Sequence, residues 1–290
     1  MEAECLTVSR RNIMLHLRSG FESHSAYRRL SRATLSLMAL ALSVIGVQAA
    51  PAVEVSYSMD SVPLIGRYYP PANPKLAKAP GIVLFPDWMG VTEISDESAK
   101  RVSGLGYAVL VADVYGKNNR PKSQEEAGKL SSIYKNDRAL MRARGKAALA
   151  ALKKQKGVDT NAIAAMGYCF GGTCALELAR SGANLKGVVT LHGGLDTPTP
   201  QDAANIKGKV VVLHGADDPY VPAQQVANFM DEMRQGKVDW QMNFYGNAVH
   251  GFSNPKAPRD TKAGYAYTPE ADHRSFEAYR LFYQEIFPAD

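Results

Sequence analysis

A cysteine flanked by glycines, a pair of aspartates and a histidine are the residues of this sequence whose types and spacing suit covalent chemistry. Cys169 stands in Gly167-Tyr168-Cys169-Phe170-Gly171-Gly172, between the apolar run Asn161–Met166 and a segment of helical composition, Thr173–Ala179. A strand, a sharp turn with a thiol at its tip and a following helix make a nucleophile elbow, with cysteine where serine is commoner. Such a turn strains the backbone at Cys169 and brings strand and helix together, so only small residues fit around it. The geometry lifts the sulfur above the sheet and aims the Phe170 backbone N–H at an incoming carbonyl oxygen. A buried cysteine in a Gly-rich turn would read the same way over this stretch alone. The rest of the chain favours the chemical reading.

The carboxylates lie in Gly215-Ala216-Asp217-Asp218-Pro219-Tyr220-Val221-Pro222 and the histidine in Gly246-Asn247-Ala248-Val249-His250-Gly251-Phe252. A thiolate that attacks a carbonyl carbon needs an imidazole to move protons, and the imidazole needs a carboxylate to fix its tautomer. His250 is the expected base. His192, His214 and His273 are its rivals, and each reads more simply as a structural or surface histidine. For the acid, the spacing Gly215, Asp218, Val221, Pro222 selects Asp218 over Asp217, which would then be a solvated or turn-capping carboxylate.

The elements that must hold these residues are strands alternating with helices. Val53–Met59 and Leu64–Tyr69 read as an antiparallel edge hairpin joined by Asp60–Pro63, and Pro70–Pro80 as a surface loop. Gly81–Phe85 is a short apolar run of the kind buried on both faces of a parallel sheet. Further strands are expected at Tyr107–Ala112, Gly187–Leu191, Lys209–His214 and Trp240–Tyr245. Helices are expected at Glu93–Leu105, Gln124–Tyr134, Asp137–Lys156, from the elbow to Ser181, at Ala223–Gln235 and at Pro269–Phe287. The pattern predicts an α/β fold with a mostly parallel central sheet and helices on both faces. Sites in such sheets lie beyond the carboxyl ends of the strands, which is where Cys169, Asp218 and His250 all fall, in that order. The short, polar connection from Leu191 to Lys209 leaves no room for a large lid.

Residues 1–49 read as a separate leader. They carry six arginines against three glutamates, the stretch Ala33–Val47 is uncharged and apolar, and Val47-Gln48-Ala49 precedes Ala50-Pro51. This is the pattern of a secretory signal peptide cleaved after Ala49, which leaves 50–290 as a single domain, exported to the periplasm or secreted. An uncleaved anchor and a start site placed too far upstream are the alternatives, and the pair Arg28-Arg29 hints at twin-arginine export. Without the leader the chain's net charge falls from +6 to +3. No basic cluster interleaved with aromatics remains, so no nucleic-acid partner is expected, and no stable membrane association is expected once the leader is removed. Cys169 and Cys174 point to different faces of the elbow and its helix, which argues against a disulfide between them.

With these residues in place, the sequence resembles the dienelactone hydrolase family of the α/β-hydrolase superfamily from about Val53 to Phe287. The resemblance rests on GYCFGG, GADDPYVP, VHGF and Asp113-Val114-Tyr115-Gly116. It implies a cysteine hydrolase that opens small esters or lactones through an acyl-thioester, with no metal or organic cofactor, and the Trp88 backbone N–H as second oxyanion donor. It also implies that Asp87 stands where the dienelactone enzyme has a glutamate controlling the resting thiol. Lys117 and Asn254 stand where that enzyme binds the substrate carboxylate with arginines, so the planar bidentate fork is lost. Asp87 and Lys117 are therefore the expected substrate-binding side chains. Trp88, Tyr115, Tyr168 and Phe252 are candidates to line an apolar pocket. The alternative function is a non-catalytic protein that holds a small ligand on a hydrolase scaffold.

Overall fold

The computed structural model describes residues 51–72 and 78–288. The proposed leader and its cleavage site lie outside the described residues, as does part of the Pro70–Pro80 loop.

Eight strands form one sheet in the order β1-β2-β4-β3-β5-β6-β7-β8. The hairpin β1 (Val53–Met59) and β2 (Val62–Tyr69) is antiparallel, and β2 runs antiparallel to β4 (Ala108–Val111). Every other pairing is parallel, through β3 (Ala79–Phe85), β5 (Val158–Tyr168), β6 (Gly187–Leu191), β7 (Lys209–Gly215) and β8 (Trp240–Tyr245). The hairpin turn is tighter than the sequence suggests. Asp60 adopts a φ of 53°, and β2 already starts at Val62, with Pro63 opposite Ser58. Proline is tolerated there because it sits near the strand's start, where β2 has no partner on its other side. The elbow strand β5 extends beyond Asn161–Met166 at both ends, and its register against β3 shifts between Pro80 and Gly81.

The central strands β3, β4 and β6 are apolar runs because both faces of the sheet are covered. Alternate side chains feed two separate cores. Val83, Phe85 and Ala165 point to the side of α2 (Gln124–Asn136), α3 (Arg138–Lys153), α4 (Phe170–Arg180) and α5 (Ala223–Gln235). Ile82, Leu84 and Met166 point to the side of α1 (Glu93–Ser103) and α6 (Pro269–Ile286). The Leu191–Lys209 connection contains one short 3-10 segment, Pro200–Asn205, which the sequence pattern did not reveal. A second, Thr261–Ala263, follows the base loop.

On the first face a buried ion network locks the elbow helix. Arg180, fully buried, donates to both carboxylate oxygens of Glu232 on α5 at 2.8 and 2.7 Å, to Glu177 at 3.0 Å and to the Leu195 carbonyl at 2.9 Å. Arg142 on α3 donates to the other oxygen of Glu177 and to Asp202. Each charge has a partner, which is the condition under which a buried ion pair is tolerated. The network ties three helices to the loop after β6.

Candidate active site

The turn between β5 and α4 holds Cys169 at φ 53° and ψ −121°, a left-handed conformation that costs a non-glycine residue about 1–3 kcal/mol. The surrounding glycines are imposed by contact. A Cβ on Gly167 would lie 2.0 Å from the Gly171 carbonyl oxygen, and one on Gly171 would lie 2.1 Å from that of Phe85. The Cys169 N–H donates to the Leu191 carbonyl at 3.0 Å, which pins the turn to β6. Phe170 is the first residue of α4, where a helix has no internal acceptor for its N–H. Cys169 is half-buried at the wall of a cleft, whereas Cys174 is buried within α4 and its thiol pKa is pushed well up by that burial.

Asp218 and His250 meet across the loops after β7 and β8. The His250 Nδ1 lies 2.8 Å from Asp218 Oδ2, and the other Asp218 oxygen accepts the Tyr220 backbone N–H at 2.9 Å. Both residues are buried, whereas Asp217 is exposed, so the register argument selected the aspartate that reaches the histidine. Burial alone would depress the imidazole pKa. The hydrogen bond to Asp218 and the neighbouring Cys169 outweigh it and lift the pKa to about 10. With Nδ1 given to Asp218, Nε2 is the nitrogen left for the thiol.

The loop after β3 forms the opposite wall. Asp87 lines the cleft and its Oδ1 accepts the Met89 N–H at 2.8 Å, so the carboxylate shapes its own loop while facing the cleft. Burial raises its pKa, against the pull of that N–H and of His250. The Trp88 carbonyl accepts the Tyr115 hydroxyl at 2.8 Å, and the Tyr115 ring stacks on Phe170 at 5.6 Å between centroids. One buried tyrosine thus touches both residues whose N–H groups are expected to bind an oxyanion. Neither the Trp88 nor the Phe170 N–H has a protein acceptor among the described residues.

Three sequence expectations need correction. Lys117 is exposed and lines a separate groove with Glu54, Arg67 and Arg120, and its N–H donates to the Pro63 carbonyl, which ties the loop to the hairpin. Tyr115 and Phe252 are buried in the two cores, so of the four proposed aromatics only Trp88 and Tyr168 line the cleft. His192, read as a structural or surface histidine, is buried beside His250. It lines the cleft, its ring packs edge-on against His250 at 5.1 Å, and its Nε2 lies 2.9 Å from Ser253 Oγ. Its place directly after β6, the neighbour of the elbow strand, was the available signal. Asn254 does reach the cleft, where it donates to the Tyr265 hydroxyl at 2.7 Å. His214 is buried against Phe244, and His273 is exposed on α6.

The cleft is small, with a volume of about 40 Å³. Among the described residues no group of three or more His, Cys, Asp or Glu is arranged to hold a metal ion, and no helix is long and apolar enough to cross a membrane.

Comparison with known proteins gives a consistent picture. The sequence pattern of the dienelactone hydrolase family matches residues 66–287. A solved structure named m3DLH is 41% identical, with a TM-score of 0.78 over 82% of this chain and 98% of its own. A dienelactone hydrolase-like promiscuous phosphotriesterase from metagenomic libraries is 39% identical, with a TM-score of 0.77 over 82% of this chain and 99% of its own. A putative carboxymethylenebutenolidase of Saccharolobus solfataricus is 25% identical over 267 residues, which is 80% of this chain and 98% of that protein.

Proposed function

This chain belongs to the dienelactone hydrolase family, a family of α/β hydrolases, and from that premise we propose that it hydrolyses small carboxylic esters or lactones through a Cys169–His250–Asp218 triad. The observation that carries the reading is the buried His250–Asp218 pair, 2.8 Å apart, beside a cysteine strained at the tip of an elbow on the wall of a cleft. The Cys169 sulfur attacks the carbonyl carbon, and the oxyanion is held by the Trp88 and Phe170 N–H groups. The C–O bond then breaks while the His250 imidazolium gives its proton to the departing oxygen. Water attacks the acyl-thioester, His250 takes the water's proton, and the C–S bond breaks to release the acid and restore the thiolate. Every step uses side chains and backbone of this chain, and none calls for a cofactor.

The small cleft suits a small acyl group, and Asp87 is the carboxylate beside it. Asn254 and the displaced Lys117 leave no arginine fork for a substrate carboxylate, which favours simple esters and lactones over dienelactone itself. The similarity to a neighbour named as a promiscuous phosphotriesterase adds a phosphotriester to the candidates, because the same two N–H donors suit a P=O oxygen. Export is part of the proposal and rests on the leader's composition alone.

The test is hydrolysis of p-nitrophenyl acetate, a panel of lactones and one phosphotriester by the purified protein under reducing conditions, with Cys169→Ala alongside. Turnover that disappears in the variant is the expected result. A folded wild-type protein with no turnover on any of them would favour the alternative, a small-ligand-binding protein on this scaffold.

A further inference from the structure

Ser253 and His192 stand on the base side of the cleft and have no part in the triad. His192 is held at φ 40°, in the left-handed region, so the chain bears strain to present this ring. It is buried, its Nε2 lies 2.9 Å from Ser253 Oγ, and its Nδ1 is buried with no partner. The tautomer follows from that asymmetry. A buried N–H without an acceptor is rarer and costlier than a bare acceptor lone pair, so the proton sits on Nε2 and is donated to Ser253 Oγ. Ser253 has no other hydrogen-bond partner among the described residues. Its own O–H is therefore free, half-buried and on the cleft wall, three residues past His250 and close to the ring that must exchange a proton with the substrate.

We propose that the Ser253 hydroxyl, oriented by His192, binds the oxygen that leaves in acylation and the water oxygen that replaces it in deacylation. The inference rests on the acyl-thioester reading above. The two oxygens share one place by microscopic reversibility, because the water enters along the path by which the alcohol departs and uses the same His250 nitrogen. In acylation Ser253 donates to the oxygen as the C–O bond breaks and His250 protonates it. In deacylation Ser253 holds the water while His250 removes a proton and the water's electron pair forms the new C–O bond. Ser253 itself neither gains nor loses a proton. His192 is a positioning residue: it acts through Ser253, and its ring packs edge-on against that of His250.

The leaving group separates this role from a structural one. p-Nitrophenolate departs without needing a proton or a hydrogen bond, so Ser253→Ala should leave the acylation burst of p-nitrophenyl acetate near wild type and slow the steady-state phase about tenfold. On an alkyl ester the same variant should slow acylation as well. Ser253→Thr keeps the hydroxyl and should restore both. His192→Asn tolerates the left-handed backbone but ends a bond short of the Nε2 position, and it should match Ser253→Ala, with the double variant no slower than either alone. Stopped-flow traces on the purified full chain measure all of these. Unchanged deacylation in Ser253→Ala, or burst and steady state slowed alike, would overturn the proposal and leave the thioester reading intact. A wild-type protein that turns over with no burst and no thioester under single-turnover conditions would remove that reading and this one with it.

Discussion

At the scale of single residues, the account depends on a carboxylate that holds an imidazole in its protonated form. Asp218→Asn keeps the shape and removes the charge, so kcat/KM should fall by about 10²–10⁴-fold with KM little changed. The same variant tests the pH behaviour. The folded-state pKa of His250 is raised from 6.5 to about 10, so the pair's contribution to stability is fully present below about pH 6.5 and is lost as pH rises through about 10. Denaturant unfolding of wild type and Asp218→Asn should therefore differ most near pH 6 and converge toward pH 10.5; a gap that is constant across that range would show that the pair is not charged in the folded protein. Cys169, Asp218 and His250 were legible in the sequence because they fall in the loops after three strands in the order nucleophile, acid, base, each within a recognisable motif. His192 and Ser253 were not. A lone histidine after a strand looks the same whether it is buried in the core or set against another ring, and only the approach of the β6 and β8 loops decides between them. Lys117 misled for the converse reason. Its position in the chain is right, but Asp113 accepts from Ile65 N–H, Gly116 N–H and the Arg120 guanidinium, and this draws the whole loop to β2.

At the scale of elements, the elbow works because β5, α4 and β3 approach to backbone contact. Gly171→Ala places a methyl group 2.1 Å from the Phe85 carbonyl oxygen at the end of β3 and 2.3 Å from that of Pro86, which opens the loop that carries Asp87 and Trp88. The variant should lose several degrees of Tm, about 4 °C or more, and most of its activity, since relieving the clash moves one oxyanion peptide against the other. Thermal unfolding and an ester assay on the same sample measure both; wild-type values in each would contradict the close packing. The order of strands and helices could be read from apolar runs and their spacing, as could the two-sided burial of β3. The tight Asp60–Ser61 turn was not readable, because Pro63 argues against a strand unless its place on a half-unpartnered one is known. The Arg180–Glu177–Glu232 network was equally hidden. Charged residues on amphipathic helices read as solvated until three helices and a loop close over them.

At the scale of the whole molecule, one sheet with helices on both faces brings the loops after β3, β5, β6, β7 and β8 to one end. The sequence announces that architecture through its alternation of strands and helices, and the positions of those loops follow from it. The cleft's size does not follow, because it depends on where Trp88, Tyr168 and Tyr265 come to rest. The proposed leader adds a prediction at this scale. Expression of the full chain in a bacterial host with fractionation should yield periplasmic or extracellular protein whose amino terminus, by mass, is Ala50; intact protein retained in the cytoplasm would contradict export.

The central claim is that an acyl group rests on Cys169 during turnover. Acid-quenching the wild-type protein within milliseconds of mixing with p-nitrophenyl acetate, followed by peptide mass analysis, addresses it directly. The account predicts one acetyl group on the peptide that carries Cys169, trapped in larger yield in Ser253→Ala and absent in Cys169→Ala. Undiminished hydrolysis by Cys169→Ala, or an acetyl group that collects on another residue at the rate of turnover, would contradict it.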